Sequence, residues 1–552
     1  MKLKDSQLLI LKIKTSHIKK AKKNIKLNFE QARDNDEIIS LGSSQFSRSL
    51  KRYCDSQNIT NDIYNIGGQT VNDIFSKRDR KKYQILNAII SVEIESTNYY
   101  DKLNETPKQN NSEKGFLVND IRYVEYIGTT GGVKNSTVFY IRKDLYEWAT
   151  KRVDNGRDMD KKFIPSKLQA YKALDMSVSN QIPQPDKFIV VNDCEVEFTD
   201  SVIELNIDDN ERPTEKIIDD YPIKLSTNDG FGLISPEFAQ KWAENLELDY
   251  VPSCFIVRNS FCKGALVVFD FKDFALKKNN GNYKVLDVWK KEQTVYDADF
   301  ILTSSMLKLW DSYDSVEDYI ENCKKNDHQF CITKIQKEKN DDVRSLNYQF
   351  IQPLDLSNDD IEELCSPTLQ LIDKIVNGGW EEKLLYLRGT KMTYDKIDHY
   401  EDDFIKAIMI NPDMMYDPYV KNRINSMIKK TMTEAKFGKL NVKGNFSILS
   451  GDPYALCQSM FGQEITGLLN AGEMYMDYWN KKDINEVVAL RAPMSSINNI
   501  VKLNLSKNKE CEYWYKHMKG CSVINTWDTT THTLNGADLM AELGSAPKTK
   551  LG

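Results

Sequence analysis

The sequence is poor in the residues and runs that mark several common protein classes. It has 5 His among 552 residues, too few for a histidine-rich metal site. Its 10 Cys include no CxxC pair and no spacing typical of a zinc site, which favours reduced thiols in a cytoplasmic protein. No apolar run approaches the roughly 20 residues of a membrane helix. Lys12 and Lys14 interrupt the N-terminal apolar run, so we expect neither a signal peptide nor a membrane span.

The chain also lacks an overall positive charge. Its formal net charge is -6, which excludes a uniformly basic protein that coats nucleic acid. The charge is uneven, however, because residues 1–26 carry nine lysines and one aspartate. These lysines are interpreted either as the solvated face of a helix or as contacts to a phosphate backbone, where each lysine could release counterions.

The chain is too long for one hydrophobic core, and helical and strand-like stretches alternate along it. Both features predict an α+β protein of several domains. We expect a mainly helical region at 1–105, with helical spacing across Phe29–Ile39 and Val71–Ile94. A mixed α/β region should follow at 115–215. Short apolar runs separated by Gly, Asn and Pro predict β-rich blocks at 216–335 and 436–543. The intervening range 336–435 is typical of helices.

The first β-rich block holds two lysines beside apolar strands. It begins with DGFGLISPEF, in which Gly230 and Gly232 indicate a turn or a close approach of backbones. Lys263 precedes Gly264 at the start of an apolar strand, and Lys308 follows another strand in SSMLKL. Taken alone, such lysines are either surface residues with buried stems or cations placed to bind an anion.

The second β-rich block contains three segments of interest. They are GNFSILSGDPYALCQSMFG, VALRAPMSSINNIVKLNL and VINTWDTTTHTLNGAD, with one helix expected near Ile465–Trp479. Asp528 and His532 lie four residues apart. They are interpreted either as an acid–base pair or as structural residues. A nearby aromatic group could stack bases or face the core; it comprises Tyr475, Tyr478 and Trp479.

The order of these segments resembles a known polymerase family. DGFGLIS, PSCFIVRNSFCKG and SSMLKL resemble the first double-psi barrel of the cellular RNA-dependent RNA polymerases of gene silencing. They look closer still to the single-chain RNA polymerases of SPβ-like phages and prophages, whose second barrel carries segments similar to GDPYAL, RAPM and NGAD. Across residues 220–538 the resemblance implies two double-psi β-barrels joined by a helical connector and preceded by the mainly helical region.

The resemblance also implies site residues. Lys263 and Lys308 would contact the phosphates of the incoming nucleotide and of the transcript's 3′ end, and Arg491 would lie near the nucleotide's ribose and phosphates. The family's NGADxDGD loop holds Mg²⁺. Here Asp538 is retained and Glu542 replaces the third aspartate, so these two are the expected ligands. Met540 and Ala541 stand at the second aspartate and at the glycine.

The expected function is therefore that of a template-directed RNA polymerase acting on NTPs by a two-Mg²⁺ mechanism in the cytoplasm of a bacterial host cell. We expect a DNA rather than an RNA template. The altered loop and the tail after Asp538 predict an inactive, truncated form: a frameshifted gene, a chain cut at this point, or one half of a split polymerase completed by a separate chain.

Two alternatives come from other classes. One is a non-catalytic nucleic-acid-binding remnant or regulatory subunit, which the methionine in the metal loop favours. The other is a phage structural protein whose β-blocks are ordinary sandwiches. Two six-stranded barrels packed together, with Lys263, Lys308, Arg491 and Asp538 converging on one cleft, would exclude the latter.

Overall fold

The computed structural model describes residues 7–77, 79–95, 114–128, 136–208, 211–338, 340, 342–388, 403–537 and 542–547. The chain divides into two compact units, each assembled from separate segments. Unit 1 contains Met1–Glu338, Ser450–Leu468 and Lys509–Cys521. Unit 2 contains Lys339–Leu449, Leu469–Asn508 and Ser522–Gly552.

A seven-stranded mixed sheet fills the first part of unit 1. Its strands are β1 (Gln7–Lys14), β2 (Asn24–Ile25), β3 (Ile38–Leu41), β4 (Tyr83–Glu93), β5 (Phe116–Val118), β6 (Ile121–Ile127) and β7 (Thr137–Arg142). They lie in the order β2-β5-β6-β7-β4-β1-β3. The central strands β1 and β4 pair in parallel, so a long connection must join them.

Strand β4 corrects the expectation of a helix across Val71–Ile94. Only Val71–Ile74 is helical, and Tyr83–Glu93 is a strand. The strand is buried along almost its whole length, with Ile85 in the apolar cluster on one side of the sheet and Leu86 in the cluster on the other. A strand covered on both faces shows no alternation of polar and apolar residues, so periodicity did not reveal it.

Short helices cover this sheet. They are Thr15–Lys20, Phe29–Asp34, Gln45–Ser56, Thr60–Ile63 and Val71–Ile74, followed by Tyr146–Asp154. The next helix, Pro165–Lys172, instead buries Leu168 in the apolar core of the second sheet described below. In the longest of them, Phe46, Leu50 and Cys54 recur every four residues on the buried face. The expected helix over Phe29–Ile39 ends at Asp34, because the chain turns there into β3. The first 105 residues thus contain a sheet as well as helices, which corrects the prediction of a mainly helical region.

A second seven-stranded sheet lies in the middle of unit 1. Its strands are β8 (Asn180–Gln181), β9 (Phe188–Val191), β12 (Phe231–Ile234), β13 (Cys254–Asn259), β14 (Cys262–Val268), β17 (Phe300–Thr303) and β18 (Cys331–Ile335). The order is β8-β18-β13-β14-β12-β17-β9. Strands β12 and β14 are parallel, whereas β13 and β14 form an antiparallel hairpin.

Two further hairpins accompany the second sheet. Strands β10 (Glu195–Ile207) and β11 (Pro213–Ser226) form a long antiparallel ribbon, most of whose side chains are exposed. Strands β15 (Lys284–Leu286) and β16 (Glu292–Thr294) form a short one. Neither hairpin adds a strand to the second sheet.

An aromatic core fixes the second sheet against its helices. Phe188 and Phe300 stack with their ring centroids 5.3 Å apart, and Trp242 meets Phe255 edge to face at 5.3 Å. Phe274 contacts Tyr454 at 4.9 Å, although 180 residues separate them in the chain. The helices of this part of unit 1 are Pro236–Asn245, Phe271–Lys278, Val316–Lys325, Pro453–Met460 and Lys509–Trp514.

Unit 2 begins with helices that pack around a small apolar core. They are Asn358–Asn377, Trp380–Arg388, Asp403–Ile410 and Pro418–Lys436. Ile375, Ile405, Ile408 and Ile424 are buried among them. Strands β19 (Val343–Ser345) and β20 (Asn441–Lys443) pair before and after these helices.

The rest of unit 2 is a closed six-stranded barrel. Its strands are β21 (Asn445–Ser450), β22 (Glu473–Tyr475), β23 (Glu486–Leu490), β24 (Ile500–Leu505), β25 (Ser522–Ile524) and β26 (Glu542–Pro547). They lie in the order β21-β25-β22-β24-β23-β26. Two single turns of helix, Asp477–Asn480 and Thr530–Thr533, lie between strands. Closure leaves the barrel without a free strand edge.

The α+β class predicted from the sequence is confirmed, with a barrel in the second β-rich block and a seven-stranded sheet in the first. The helix expected near Ile465–Trp479 is wrong, because strand β22 occupies the middle of that range and the main helix is Pro453–Met460. An Asp–Pro pair starts that helix, a signal the apolar spacing obscured. The domain limits and the double-psi connectivity stay predictions. No helix in the described part of the chain is long and apolar enough to cross a membrane.

Candidate functional site

The structure brings the two predicted lysines of unit 1 together. Cys262 and Leu307 form an isolated antiparallel bridge between the start of β14 and the segment after β17. On either side of it, the Lys263 N–H donates to the Met306 carbonyl at 3.0 Å and the Lys308 N–H to the Phe261 carbonyl at 2.9 Å. Two residues far apart in sequence therefore emerge from neighbouring positions on one rigid framework.

Glycines allow this framework to pack closely. A Cβ on Gly264 would lie 2.5 Å from the Met306 side chain and 2.7 Å from the Gly230 carbonyl oxygen. A Cβ on Gly232 would lie 2.2 Å from the carbonyl oxygen of Ile301, which is backbone and cannot move aside. The glycines in the DGFG and KG segments are therefore explained by the close approach of β12, β14 and β17.

Hydroxyl groups tie the Lys308 segment to the DGFG turn. The Gly230 N–H donates to Ser305 Oγ at 2.9 Å, and Thr303 Oγ1 donates to the Phe231 carbonyl at 3.1 Å. The Ser305 N–H donates in turn to Asp193 Oδ1 at 3.1 Å. Sequence reasoning missed Asp193, Thr303 and Ser305; the hydroxyl run TSS before the lysine was the available signal.

The site is cationic and partly buried. Arg258 stands directly opposite Lys263 in the β13–β14 hairpin, so the two side chains share one face of the sheet. Burial lowers the pKa of the Arg258 guanidinium. Lys308 Nζ lies 3.8 Å from Asp229 Oδ1 at the DGFG turn. The positive charges of these side chains lie close together, and the exposed Asp229 carboxylate offsets part of that charge. An anion bound here would be stabilised.

The GDPYAL segment of unit 1 has a structural explanation. Asp452 is buried and caps helix Pro453–Met460, accepting from the N–H groups of Tyr454 at 2.8 Å and Ala455 at 3.3 Å. It also accepts from the Leu468 N–H and the Tyr515 hydroxyl. Burial raises the pKa of the Asp452 carboxyl. With both oxygens engaged, Asp452 serves as a helix cap.

Arg491 in unit 2 holds the turn that leads into the NGAD segment. Its Nη1 donates to the carbonyl of Leu534 at 3.1 Å and to that of Asn535 at 3.0 Å. Asn535 and Gly536 adopt left-handed φ angles of 58° and 55°. The Asn535 side-chain amide donates to the Pro493 carbonyl, so RAPM and NGAD are joined from both directions.

The described residues do not test the predicted metal ligands. Asp538 lies outside the described residues, as do Met540 and Ala541. Glu542 opens strand β26, but its side chain also lies outside the described part. Within the described residues, no three His, Cys, Asp or Glu side chains cluster as a metal site would require. Both metal-ligand assignments stay predictions.

The alternatives weighed for Asp528 and the aromatic group have structural explanations. Asp528 accepts from the Gly472 N–H at 2.7 Å and from the Thr530 N–H at 2.9 Å, so it fixes the loop and the turn of helix before NGAD. Trp479 is buried, and its indole N–H donates to Ser545 Oγ at 2.9 Å. These contacts favour the structural interpretation of Asp528 and a core position for Trp479.

Most of the chain matches the model of a polymerase family. A family model described as RNA dependent RNA polymerase matches residues 149–533. Because the match covers well over half of the chain, the chain belongs to this RNA polymerase family.

Two individual proteins are similar to this chain. The DNA-directed RNA polymerase YonO of Bacillus phage SPbeta is 29% identical over 416 residues, which cover 73% of this chain and 46% of the relative. The solved structure of the RNA-dependent RNA polymerase QDE-1 from Thielavia terrestris matches with a TM-score of 0.50 at 12% identity, covering 85% of this chain and 51% of that one. The chain thus spans about half the length of the proteins it matches.

Proposed function

We propose that this chain is part of a template-directed RNA polymerase that uses NTPs and copies DNA rather than RNA. The observation that supports the proposal is the bridge that places Lys263 and Lys308 side by side on one framework. The relative that is named a DNA-directed RNA polymerase supports the choice of template. The site of action would be the cytoplasm of a bacterial host cell.

In this proposal the two lysines bind phosphate. Lys263 and Lys308 contact the phosphates of the incoming nucleotide and of the transcript's 3′ end, as the family resemblance implies. The lysine ammonium group is a compact charge on a flexible side chain. The hydrogen-bonded backbone fixes the point from which each side chain extends. Arg258 adds a third positive charge on the same sheet face, and an arriving phosphate would offset the repulsion among the three.

We infer a positioning role for Arg491. Its two donated bonds hold the carbonyls of Leu534 and Asn535, a few residues before Asp538. The side chain would thereby orient the loop in addition to lying near the nucleotide's ribose and phosphates. The double-psi connectivity and the helical connector of the family belong to the same proposal.

The metal loop does not fit the family's Mg²⁺ site as it stands. Mg²⁺ takes hard oxygen ligands, and the family supplies three aspartates on one turn. This chain offers Asp538 and Glu542, with the thioether of Met540 at the second aspartate position. We therefore propose that this chain, with methionine at the second aspartate position, does not incorporate nucleotides.

A reconstitution tests the function. The loop is restored by Met540→Asp, Ala541→Gly and Glu542→Asp, and the remaining part of the phage relative is supplied as a separate chain. We expect labelled NTP incorporation on a DNA template with Mg²⁺, and its loss when Lys263→Ala and Lys308→Ala are added. A Lys284→Ala/Lys290→Ala variant of the same unit is the charge-matched control. Absence of incorporation on both DNA and RNA templates would refute the proposal.

A second candidate function is a non-catalytic nucleic-acid-binding or regulatory subunit. Met540 in the metal loop favours it. It predicts salt-sensitive binding of nucleic acid by the unaltered chain, and no incorporation even after the loop is restored. A filter-binding titration at two salt concentrations measures the first property, and absence of binding at low salt contradicts it.

A further inference from the structure

The N-terminal sheet of unit 1 carries a concentrated positive charge away from the lysine pair. Lys19, Lys20, Lys22 and Lys23 lie at the end of helix Thr15–Lys20 and in the turn that follows, here called the lysine turn. Lys19, Lys20 and Lys22 are exposed and Lys23 is half-buried. The sequence contains no acidic residue between Asp5 and Glu30, so the turn has no neutralising neighbour along the chain.

The flanking lysines differ from Lys20 and Lys22 of the turn. Lys12 forms an ion pair with Glu93 at 2.6 Å, Lys14 one with Glu95 at 3.9 Å, and Lys26 one with Asp120. Their charges are offset inside unit 1. Among the residues that the structure describes, no carboxylate lies within ion-pair distance of Lys20 or Lys22. The basic character of the N-terminal segment is therefore concentrated at the turn.

The turn is rigid. The Lys22 N–H donates to the Lys19 carbonyl at 3.1 Å, the Lys23 N–H to the Ile18 carbonyl at 3.0 Å, and the Leu117 N–H of β5 to the Lys23 carbonyl at 2.8 Å. These bonds fix the backbone to both the helix and the sheet. The lysine side chains therefore start from ordered positions, which lowers the entropy lost when they bind a ligand.

The backbone conformation of the turn is costly for lysine. Lys22 and Lys23 adopt left-handed φ angles of 50° and 65° in succession. Among the described residues, the other consecutive non-glycine pair with positive φ is Asn119–Asp120, whose residue types tolerate that region better. Each lysine has its Cβ crowded against backbone in that region, which glycine would avoid. Lysine at both positions thus needs a reason other than the fold.

We propose that the lysine turn is a contact surface for the phosphate backbone of a nucleic acid, distinct from the Lys263–Lys308 site. Several lysines carried by one turn place positive charge where a phosphate backbone could bind, and each contact releases condensed counterions. The surface reads no base sequence, because phosphate contacts position a strand without specifying it. The lysine turn would add a second nucleic-acid contact to the proposed polymerase. A chain that binds nucleic acid without copying it could use the same contact.

Two charge-matched triple variants of the full chain test the surface. One is Lys19→Gln/Lys20→Gln/Lys22→Gln, and the control removes three ion-paired lysines by Lys12→Gln/Lys14→Gln/Lys26→Gln. Fluorescence anisotropy of a labelled 30-nucleotide single-stranded DNA, its RNA equivalent and a DNA duplex is measured across a salt series. Circular dichroism and thermal unfolding confirm that each variant folds, and Lys20→Gln/Lys22→Gln replaces the triple variant if it does not.

We expect the turn variant to bind at least tenfold more weakly at low salt. The slope of log affinity against log salt should fall by about 2 for single strands, about 0.7 for each of three contacts. The control should keep a slope within about 0.5 of the unaltered chain. Equal losses in the two variants, or no binding by the unaltered chain at low salt, would overturn the proposal.

The two proposals fail in different ways. A reconstituted enzyme that incorporates nucleotides while both variants show equal slopes would overturn the lysine turn and leave the polymerase function standing. The opposite result is a chain that never incorporates nucleotides and whose salt-dependent binding falls only in the turn variant. It would refute the polymerase function and support the lysine turn. Whichever of DNA, RNA or duplex shows the larger change of slope identifies the strand that lies on the turn.

Discussion

The lysine framework of unit 1 and the Arg491 loop of unit 2 are held in contrasting ways. Lys263 lies in β14 and Lys308 in the segment after β17, and backbone hydrogen bonds join the two, with glycines where a Cβ would clash. Arg491 instead holds its loop through one side chain that reaches two carbonyls. A framework made by the backbone tolerates little change, whereas a loop held by a side chain can lose its chemistry while the fold remains.

The largest expected effect is a difference in the free energy of unfolding when a glycine of each region is replaced by alanine. Gly232→Ala should destabilise unit 1 by about 3 kcal/mol, because its Cβ would meet the Ile301 carbonyl oxygen at 2.2 Å. Gly544→Ala in the barrel should cost about 1 kcal/mol, because the Leu490 side chain at 2.8 Å can shift. Urea unfolding measures both, with Gly379→Ala as the control. Equal losses for Gly232 and Gly544 would contradict the contrast.

The next effect is a pH dependence confined to unit 1. His328 is buried beside Arg152, with Asp175 and Asp327 close by, and its Nε2–H donates to the Arg152 carbonyl at 2.8 Å. Burial, then the charge of Arg152, lowers the pKa of His328 well below 6.5. The unfolded chain then binds a proton that the folded chain does not, so stability is full above pH 6.5 and falls as pH drops below it.

The expected loss approaches about 1.4 kcal/mol per pH unit below 6.5. Hydrogen exchange at pH 7.5 and 5.5 measures it on the amides of β13 and β14, with those of β23 and β24 in unit 2 as the internal reference. His328→Gln should remove the larger part of this pH dependence and leave the smaller part due to His517, whose pKa burial also lowers. An unchanged pH profile in that variant would show that another group is responsible.

Arg491→Ala should have a smaller effect, limited to the loop. Removing the guanidinium leaves the Leu534 and Asn535 carbonyls without that donor, at a cost of about 1–2 kcal/mol. Faster exchange should appear at the amides of residues 533–537, with little change in global unfolding. Arg491→Lys, which keeps the charge, should restore only part of the protection. A uniform loss across the barrel would indicate a wider structural role.

The smallest predicted effect concerns Ser305. Ser305→Ala removes the acceptor of the Gly230 N–H and should cost about 1 kcal/mol. In the reconstituted enzyme it should raise the KM for NTPs more than it lowers kcat, since Lys308 is displaced rather than removed. Ser305→Thr should restore the wild-type KM. A fall in kcat alone would contradict a positioning role.

The motifs in the sequence singled out Lys263 and Lys308, and local patterns gave less of the fold around them. The structure places both lysines beside one backbone bridge, and their binding of phosphate stays a prediction. Strand β4 escaped detection because both its faces are buried. Asp193 and Ser305 were missed because their contacts span more than a hundred residues, a relation that no local pattern records. Arg491 was found by its motif, but its carbonyl partners depend on the left-handed turn at Asn535.

The route of the chain has a practical consequence for dissecting this protein. The polypeptide passes between the two units five times, and unit 1 is completed only by the segments Ser450–Leu468 and Lys509–Cys521. A fragment ending at Glu338 would lack helix Pro453–Met460 and its Tyr454, and would expose the ring of Phe274 to water. Expression of the lysine site by itself therefore requires either the chain through Cys521 or a redesigned fusion that reconnects the three pieces.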